Sequence, residues 1–316
     1  MKVLFDNVNI DSRSGPNGFA KKLKKELNLD QYDCEVLTHI DKKFTPDIQL
    51  SFIMSDYEYA PIIQRLDGIY FNTDQDFNDL NSPLKATYEV ASAVIFQSEF
   101  NKKLSEKWFG KKEKSAVIHN GTDFMRIEKI KPLENSKIDK FEKVWSCASS
   151  WRPHKRLSEN IRYFLENSGK NDCLIVAGEN PDKIVSNSRI FYAGNLGWED
   201  LIGVFKRSDF FIHLSWLDHC PNVVIDARAA GCHVICSSSG GTKEISGKDS
   251  TIIQEAEWDF SPIKLYSPPI LDFSKRQSIQ DLEVKIQEDI TIQRAALEYF
   301  TIIKEVYENE NLLSLS

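Results

Sequence analysis

The sequence has no long hydrophobic run, no excess of basic residues and no closely paired cysteines. Its apolar stretches are too short to span a bilayer, and the first residues, MKVLFD, have the pattern of a buried strand rather than of a signal segment. We therefore expect a cytoplasmic protein. The net charge is −7 over 316 residues, which disfavours a nucleic-acid-binding protein, because such proteins usually carry a basic surface.

The six cysteines form no C-x-x-C pair. Most lie in apolar runs such as VWSCAS and CHVICS, which predicts reduced, buried and structural thiols in a large cytosolic chain. Five residues lie close enough in sequence to raise the question of a zinc site: His219, Cys220, Cys232, His233 and Cys236. Their spacing matches no common zinc site, and strand alternation separates Cys232 and Cys236 from His233, so we expect no metal.

Short apolar strands alternate with helical segments along the chain, which is typical of parallel βα units and an α/β fold. The first half contains the candidate strands KVLF, CEVLT, DIQLSFIM, IIQRL, SAVIFQ and SAVIH. The second half contains KVWSCAS, DCLIVAG, RIFYAG, DFFIHL, HVICS and STIIQ. Two such sets predict two doubly wound, Rossmann-like domains, which we assign to residues 1–130 and 141–287.

A polar stretch with little periodicity, residues 125–143, lies between the two sets of strands and is interpreted as the linker between the domains. Near the end of the chain, apolar residues recur at helical spacing from Ser278 to Tyr307, and no strand follows. This pattern predicts helices with a face to bury on one of the two domains.

The stretch from Asp218 to Gly241, DHCPNVVIDARAAGCHVICSSSGG, has the composition of a ligand-binding crevice. Pro221 suits the first position of a helix, and Gly231 suits the position just past its end. The N-terminus of this helix would direct the backbone N–H groups of Asn222 and Val223 at an anion. Doubly wound folds hold phosphates and riboses in such crevices.

Two carboxylates lie in this stretch, eight positions apart. Asp226 lies one turn after Asn222 inside the apolar helix VVIDARAA, where an unpaired carboxylate would be unfavourable, and Arg228 does not face it. We therefore expect Asp226 to bind the hydroxyls of a ribose. Asp218 follows strand DFFIHL and could reach a sugar hydroxyl, although a capping role at the helix N-terminus remains an alternative.

A basic segment, SSWRPHKRL, follows the first strand of the second domain. It places Arg152, His154, Lys155 and Arg156 at the carboxyl end of a strand, where open α/β sheets bind their ligands. The planar fork of arginine and the compact charge of lysine together suit a diphosphate. The alternative is a solvated basic loop.

A glycine-rich turn, SRSGPNGFAKKL, follows the opening strand. Gly15 and Gly18 flank a Pro-Asn turn, and the pattern predicts a helix from Phe19. Such a turn brings backbone N–H groups close to a ligand, although the G-x-G-x-x-G spacing of dinucleotide sites is absent. An ordinary βα turn remains the alternative.

An acidic segment, QRLDGIYFNTDQDFND, ends strand IIQRL of the first domain. Arg65, Asp67 and Asp74 are candidates for binding a polyhydroxyl substrate, and a turn rich in Asp and Asn is the alternative. Lysines recur on the helices of the same domain, where they either form a solvated face or attract an anionic membrane surface. They are Lys21, Lys22, Lys24, Lys25, Lys102, Lys103, Lys107, Lys111, Lys112 and Lys114.

Taken together, these segments resemble the family-4 retaining glycosyltransferases of the GT-B fold, the glycosyl transferases group 1. Asp218 and Asp226 match the family's two acidic residues, which are usually Glu. The stretch PNVVIDARAAGCHVICSSSGGTKEI, the segment SSWRPHKRL and residues 116–124, AVIHNGTDF, are similar to further family segments. The resemblance covers nearly the whole chain in the right order.

The resemblance implies two facing Rossmann-like domains, with a C-terminal helix, about residues 288–316, that packs back on the first. It implies a hexosyltransferase that needs no metal or other cofactor. We expect this enzyme in the cytoplasm, with peripheral association at the inner membrane face as an open option. The second domain would bind a nucleoside-diphosphate sugar, and the first a saccharide or lipid-linked saccharide acceptor. The sugar, the base, the linkage and the oligomeric state stay open.

The resemblance also assigns roles to residues. Asp226 would hold the donor ribose, and Asp218 the donor sugar. Arg152 and Lys155 would neutralise the leaving diphosphate. Backbone donors would come from Gly15, Gly18, Asn222 and Val223, base contacts from Gly194 and Asn195, and acceptor contacts from Arg65, Asp67 and Asp74.

Two alternatives to a transferase remain open. A sugar-nucleotide epimerase of the same architecture would convert the donor without an acceptor. A non-catalytic binding protein would keep Asp218 and Asp226 as remnants and bind a nucleotide sugar without turnover. Both alternatives remain because a fold does not by itself determine a function.

Overall fold

The computed structural model describes residues 1–12, 14–40, 45–181, 183–277 and 285–314. The chain divides into two compact units. The first comprises Met1–Gly121 together with Asp289–Ser316, and the second comprises Thr122–Glu288. The second unit is therefore one continuous segment, whereas the first is assembled from both ends of the chain.

The strands of the first unit are β1 (Lys2–Asp6), β2 (Glu35–Leu37), β3 (Ile48–Phe52), β4 (Ile62–Leu66), β5 (Ala93–Phe96) and β6 (Ser115–Val117). Those of the second are β7 (Val144–Ala148), β8 (Cys173–Ala177), β9 (Ile190–Gly194), β10 (Phe210–His213), β11 (His233–Ser237), β12 (Thr251–Ile253) and β13 (Arg276–Gln277). All predicted strands are present, and β13 is additional.

The helices are α1 (Gly15–Leu27), α2 (Phe77–Val90), α3 (Glu99–Phe109), α4 (Phe124–Lys129), α5 (Leu157–Asn167), α6 (Trp198–Arg207), α7 (Asn222–Ala229), α8 (Thr242–Ile245) and α9 (Ile292–Ser314). The side chains of Asp76, Ser98 and Asp123 each accept a first-turn backbone N–H and so define where α2, α3 and α4 begin. Of the helices just described, none has the length and apolar character needed to cross a bilayer.

Both sheets are doubly wound. The first is parallel throughout, in the order β2-β1-β3-β4-β5-β6. The second has the order β13-β12-β11-β10-β7-β8-β9 and is parallel except for β13 at its edge. In the second sheet the order reverses between β7 and β10, and ligands of such folds bind at the carboxyl ends of the strands beside this point. The predicted α/β class is confirmed.

Helix α9 belongs to the core of the first unit, as the resemblance implied. Tyr299 is fully buried and packs on Phe19 of α1, with ring centroids 5.7 Å apart. Arg294 donates to the backbone oxygens of His119 at 2.8 Å and Asn120 at 3.1 Å, just after β6. The end of the chain is therefore tied to the end of the first sheet.

The two chain segments that leave and re-enter the first unit touch at Gly121. A Cβ atom at this position would lie 2.8 Å from the Cα atom of Ile292 and 2.7 Å from the carbonyl carbon of Thr291. Both are backbone atoms that cannot move aside on their own, so the close approach requires glycine.

Two boundaries differ from the predicted ones. The first unit ends at Gly121 rather than at residue 130, because Lys206 of the second unit donates to the carbonyl oxygens of Ile127, Glu128 and Ile130. Part of the predicted helical stretch, residues 278–284, lies outside the described residues. Residues 285–290 are not helical, because the backbone of Gln287 pairs with Glu244 and Arg228 instead of with its own neighbours.

Candidate functional site

An ion pair joins the two segments that leave the switch point of the second sheet. Residues 149–156 follow β7, and residues 214–218 follow β10. Lys155 Nζ lies 2.6 Å from Asp218 Oδ2, and both side chains are largely buried. The structure thus brings together two predicted site residues, the cation assigned to a diphosphate and the carboxylate assigned to a sugar.

Asp218 has a second side-chain partner in His213, the last residue of β10. His213 Nε2 lies 3.0 Å from the same Oδ2, and the backbone N–H of His219 donates to Oδ1 at 3.1 Å. Burial alone would raise the pKa of Asp218, but the Lys155 ammonium and the hydrogen bond from His213 outweigh burial and hold this pKa well below its usual range. Asp218 is therefore ionised at neutral pH.

Three histidines near this ion pair have lowered pKa values. Burial, reinforced by the Lys155 charge, lowers the pKa of His154 to about 3. Burial also lowers the pKa of His219 to about 4 and lowers the pKa of His213. All three are neutral at pH 7, so they surround the ion pair without adding positive charge.

The backbone of Asp218 is held from both sides by the Gly-Gly turn. Leu217 has a left-handed φ of +56°, an uncommon conformation for a branched residue. The N–H of Gly241 donates to the carbonyl oxygen of Asp218 at 2.8 Å. Gly240 has φ +70°, and a Cβ there would lie 2.8 Å from Asp218 N. These constraints fix the backbone of Asp218, so rotation of its side chain is the main motion left to this residue.

Helix α7 begins directly after this clamp. Pro221 precedes it in extended conformation as the N-cap residue, so the helix starts one residue later than predicted, and Gly231 with φ +98° follows its end. Pro221 provides no side-chain cap, and the carboxylate contacts described for Asp218 are with Lys155, His213 and the backbone of His219. Asn222 and Val223 form the first turn, where the N–H groups carry the positive end of the helix dipole.

Asp226 is only 5% exposed in α7, and its two oxygens have different partners. The Thr122 hydroxyl donates to Oδ1 at 2.5 Å, and the Trp198 indole Nε1 donates to Oδ2 at 2.9 Å. Arg228 pairs with Glu288 instead, as its spacing indicated. These two hydrogen bonds account for the burial of this carboxylate without a ligand.

The basic segment divides into three environments. Arg152 is exposed to solvent. Lys155 belongs to the ion pair. Arg156 is buried and forms a two-pronged ion pair with Glu255, with N–O distances of 2.8 and 2.7 Å. Arg156 is therefore a structural residue, and the solvated-loop alternative describes Arg152 alone.

The predicted base-binding residues lie where β9 ends. Gly194 has φ +68°, which favours glycine, and its carbonyl oxygen accepts the N–H of Gly178 at 2.7 Å. Gly194 and Asn195 are both exposed at the carboxyl end of the strand. The turn leads directly into α6, whose first residue is Trp198, the partner of Asp226.

In the first unit, the glycine-rich segment is helical earlier than predicted. Helix α1 begins at Gly15, because Pro16 suits the start of a helix, so Gly18 lies in its first turn. The N–H of Gly18 donates to the carbonyl oxygen of Ser14 at 2.8 Å, and a Cβ at Gly18 would meet no atom within 4 Å. Gly18 faces open space.

The predicted acceptor residues lie in different environments. Arg65 is fully buried, with its guanidinium 4.6 Å from the ring centroid of Phe19. It forms an ion pair with Asp67, and its Nη2 donates to Asn120 at 2.9 Å. The assignment of Arg65 as an acceptor contact is therefore corrected: a side chain without exposed surface holds Asp67 in place. Asp74 is exposed.

No group of three or more His, Cys, Asp or Glu side chains within the described ranges is arranged to hold a metal ion. Cys232 Sγ lies 3.1 Å from the carbonyl oxygen of Phe205, whereas His233 Nε2 lies 2.9 Å from the Thr251 hydroxyl. Burial raises the pKa of both Cys232 and Cys236 to about 12. These cysteines are therefore protonated, structural thiols.

Three residues that contact the predicted carboxylates were not predicted: His213, Thr122 and Trp198. His213 carried a usable signal, because it is the one polar residue near the end of the apolar strand FFIHL and precedes the segment that ends in Asp218. Thr122 and Trp198 carried none. They reach Asp226 across 104 and 28 positions of sequence.

Comparisons with known proteins find a family model that matches part of the second unit, and solved structures that share the fold of the chain. Residues 145–260 match the family model described as glycosyl transferases group 1. Comparison with curated protein sequences gives no match. Among solved structures, the chain is similar to sucrose-phosphate synthase from Thermosynechococcus elongatus, with a TM-score of 0.63 and 12% identity over 99% of this chain and 98% of that one.

Two further solved structures are also similar to this chain over nearly its whole length. One is HepE of Anabaena, solved in complex with UDP-glucose, with a TM-score of 0.59 and 15% identity over 98% of this chain and 99% of that one. The other is a glycosyltransferase from Rickettsia africae, with a TM-score of 0.61 and 16% identity over 98% and 99%. The chain thus has the GT-B fold implied by the resemblance.

Proposed function

Because residues 145–260 match the glycosyl transferases group 1 within a GT-B fold, we propose that the protein transfers a sugar from a nucleoside-diphosphate sugar to a hydroxyl of a saccharide or glycoconjugate. The observation that carries this proposal is the Lys155–Asp218 pair, which lies at the switch point of the second sheet and just before α7. A cation, a carboxylate and a helix N-terminus in this order suit a sugar joined to a diphosphate.

Lys155 and Arg152 would neutralise the diphosphate as it leaves. Glycosyl transfer builds negative charge on the leaving group, and preorganised cations stabilise such charge in the transition state. Lys155 is paired with Asp218 in the structure, so donor binding would draw its ammonium toward the phosphates. The first turn of α7, at Asn222 and Val223, adds backbone donors and the positive end of a helix dipole.

The two carboxylates would act on different parts of the donor. Asp226, held by Thr122 and Trp198, would accept the ribose hydroxyls, and Asp218 would accept a hydroxyl of the sugar. Gly194 and Asn195 would contact the base through the backbone. UDP is the first nucleotide to test, because HepE was solved with UDP-glucose.

The reaction would retain the configuration of the sugar and need no metal. The acceptor hydroxyl would attack from the side of the leaving group, so that the departing diphosphate takes its proton and no side-chain base is required. The bond from the anomeric carbon to the phosphate oxygen breaks as the bond to the acceptor oxygen forms. Acceptor contacts would come from the first unit, with Asp67 as the candidate carboxylate and Asp74 near it in sequence. Gly15 and Gly18 would add backbone donors to the diphosphate.

Nucleotide binding tests the proposal directly. We expect one of UDP, GDP, ADP or dTDP to raise the melting temperature, since a ligand at 100 times its Kd stabilises the folded state by about 2.7 kcal/mol. Asp226→Asn should lose most of this shift while keeping the unliganded melting temperature. A flat response to all four nucleotides would overturn the proposal.

Product analysis separates the transferase from its alternatives. The matched donor incubated alone should be hydrolysed slowly and not isomerised. Addition of a suitable saccharide acceptor in the presence of EDTA should give a glycoside with the anomeric configuration of the donor. Conversion of the donor to an epimer would identify an epimerase, and tight binding with no turnover across acceptors would identify a binding protein.

A further inference from the structure

The side chain of His213 has a position that the proposed reaction does not yet use. His213 ends β10, is 3% exposed, and stacks on Phe211 with an interplanar angle of 18°. Its Nε2 is directed at Asp218 Oδ2. A buried polar side chain at the carboxyl end of a central strand lies at the edge where this fold binds ligands.

The protonation state of this contact follows from the two groups. Asp218 is ionised, so it has no proton to donate and can only accept. Burial lowers the pKa of His213, so the ring is neutral and carries one N–H. That N–H is therefore on Nε2, and it points at the carboxylate as a neutral donor.

The two donors on Asp218 Oδ2 differ in mobility. Lys155 has a flexible stem and is 19% exposed, and the proposed function requires its ammonium to turn toward the diphosphate. His213 is fixed by the strand, where it pairs in register with Cys236 of β11, so it cannot follow. Once Lys155 has moved, the imidazole still donates to Oδ2.

The backbone of Asp218 does not need this support. The Gly241 N–H holds its carbonyl oxygen, and the N–H of Leu217 donates to the Ser239 hydroxyl at 3.3 Å. What stays adjustable is the rotation of the carboxylate. The shorter Asp side chain, in place of the family's usual Glu, has less reach with which to correct a wrong rotation.

We propose that His213 is a positioning residue, which holds the Asp218 carboxylate in the orientation that receives a hydroxyl of the donor sugar while Lys155 engages the diphosphate. This inference rests on the proposed function. It concerns the sugar half of the donor alone, since the side-chain contacts described for His213 are with Asp218 and Phe211, and neither belongs to the Asp226 pair.

The experiment compares the affinity for UDP with that for UDP-glucose by calorimetry, in the wild-type protein and three variants. His213→Leu removes the donor, and His213→Gln places an amide N–H near the position of Nε2. His233→Gln is the matched control, because His233 is a second histidine of the same sheet. It is half-buried at the amino end of β11 and hydrogen-bonded to Thr251.

We expect His213→Leu to weaken UDP-glucose binding about tenfold and to leave UDP binding within twofold, which a general loss of structure would not do. His213→Gln should recover most of the loss, and His233→Gln should match the wild type for both ligands. In turnover assays the Leu variant should lower kcat/KM for the donor and regain it with Gln.

The outcomes separate the two proposals. Equal losses for UDP and UDP-glucose, or no loss for either, would overturn the role of His213 and leave the proposed function standing. A nitrogen NMR spectrum that places the neutral proton on Nδ1 of His213 would do the same without any ligand. Failure of the wild type to bind any nucleotide would remove the proposed function and this inference together.

Discussion

The indole Nε1 of Trp198 donates to Oδ2 of Asp226 at 2.9 Å. This contact joins the start of α6 to the middle of α7 and meets the polar requirement of a carboxylate inside an apolar helix. On its outer side the Trp198 ring carries the guanidinium of Arg126, 4.7 Å from its centroid. The orientation of Asp226, the residue proposed to bind the ribose, is therefore set by the neutral indole N–H of Trp198.

We expect Trp198→Phe to weaken nucleotide binding about three- to tenfold, because one oxygen of Asp226 loses its donor and the carboxylate can turn away from the ribose. A single hydrogen bond to a charged group contributes about 1.5–3 kcal/mol, part of which water would replace at this half-buried position. Calorimetry with the nucleotide identified in the stability screen measures the change.

Glu199→Gln is the control for this prediction. Glu199 lies next to Trp198 and pairs with the exposed side of Arg126 at 2.7 Å, but does not touch Asp226. Exposed ion pairs contribute about 0–1 kcal/mol, so nucleotide affinity should be unchanged. Equal effects of the two substitutions would show that the Trp198 contact with Asp226 is not what matters.

Substitutions of the neighbouring cations Arg156 and Lys155 should have different effects, the first mainly on stability and the second mainly on nucleotide affinity. Arg156→Met leaves the Glu255 carboxylate buried without its partner, and breaking a buried pair typically costs about 3–5 kcal/mol of folding free energy. Lys155→Met should cost less, because Asp218 keeps the hydrogen bond from His213, but it should remove most of the nucleotide affinity. Denaturant unfolding and nucleotide titration measure the two effects separately.

Arg152→Met completes this comparison. Its side chain is exposed, so the free energy of unfolding should change by no more than about 0.5 kcal/mol. If Arg152 serves the diphosphate, nucleotide affinity falls all the same. A large loss of stability for Arg152→Met, or none for Arg156→Met, would contradict the separation into exposed and structural arginines.

Stability should fall as the pH is lowered from 7 toward 4. Burial lowers the pKa of His154 to about 3 and that of His219 to about 4, so between these values and about 6.5 the unfolded chain binds more protons than the folded one. Their contribution to the free energy of unfolding is complete above about pH 6.5. Between that pH and the lowered pKa of each histidine, it decreases by roughly 1.4 kcal/mol per histidine and pH unit.

Asp218 acts in a different pH range. Its pKa is lowered from 3.8, so its contribution is constant above that value and is lost only at lower pH. Denaturant unfolding at several pH values should show that the free energy of unfolding depends less steeply on pH in His154→Asn than in the wild type. An unchanged slope for His154→Asn would argue against its buried, neutral state.

Two glycine substitutions should change the free energy of unfolding in opposite directions. Gly121→Ala places a methyl group against the backbone of Thr291 and Ile292, so we expect a loss of about 1–3 kcal/mol in the free energy of unfolding of the first unit. Gly18→Ala meets open space inside α1 and should be neutral or stabilising by about 0.5–1 kcal/mol. Thermal unfolding measures both.

Gly18→Ala also carries a functional test. If the first turn of α1 approaches a ligand, this variant keeps or gains stability yet loses acceptor or donor affinity. Unchanged affinity would show that Gly18 forms an ordinary helix start. A Gly121→Ala variant as stable as the wild type would mean that the two crossing segments can separate there without loss.

The strands of both sheets could be predicted from sequence because a parallel strand covered on both faces is a short, continuous apolar run. Strands β3 and β4 show this, since all of their residues are buried. Strand β13 has only two polar residues at a sheet edge and leaves no such pattern. The start of α1 was misplaced because Gly-Pro-Asn-Gly is as typical of a turn as of a proline-initiated helix.

The candidate site was predictable only in part. Lys155 and Asp218 follow strands that a doubly wound order places side by side, so the topology predicted their meeting. The partner of Arg156 lies 99 positions away and that of Asp226, Thr122, lies 104 positions away. No local pattern distinguishes a cation that serves a ligand from one that neutralises a distant buried acid, which is why Arg65 was misassigned.

The contact of Gly121 with Thr291 has a consequence for the order in which the protein is completed on the ribosome. The nascent chain emerges from its amino end, so β1 to β6 are made before α9. Phe19 of α1 then lacks its contact with Tyr299, and the core of this unit lacks the buried residues of α9, until residues 292–314 have been synthesised. The second unit, one uninterrupted segment, is finished in between. The unit that translation begins first is thus the last to close its core.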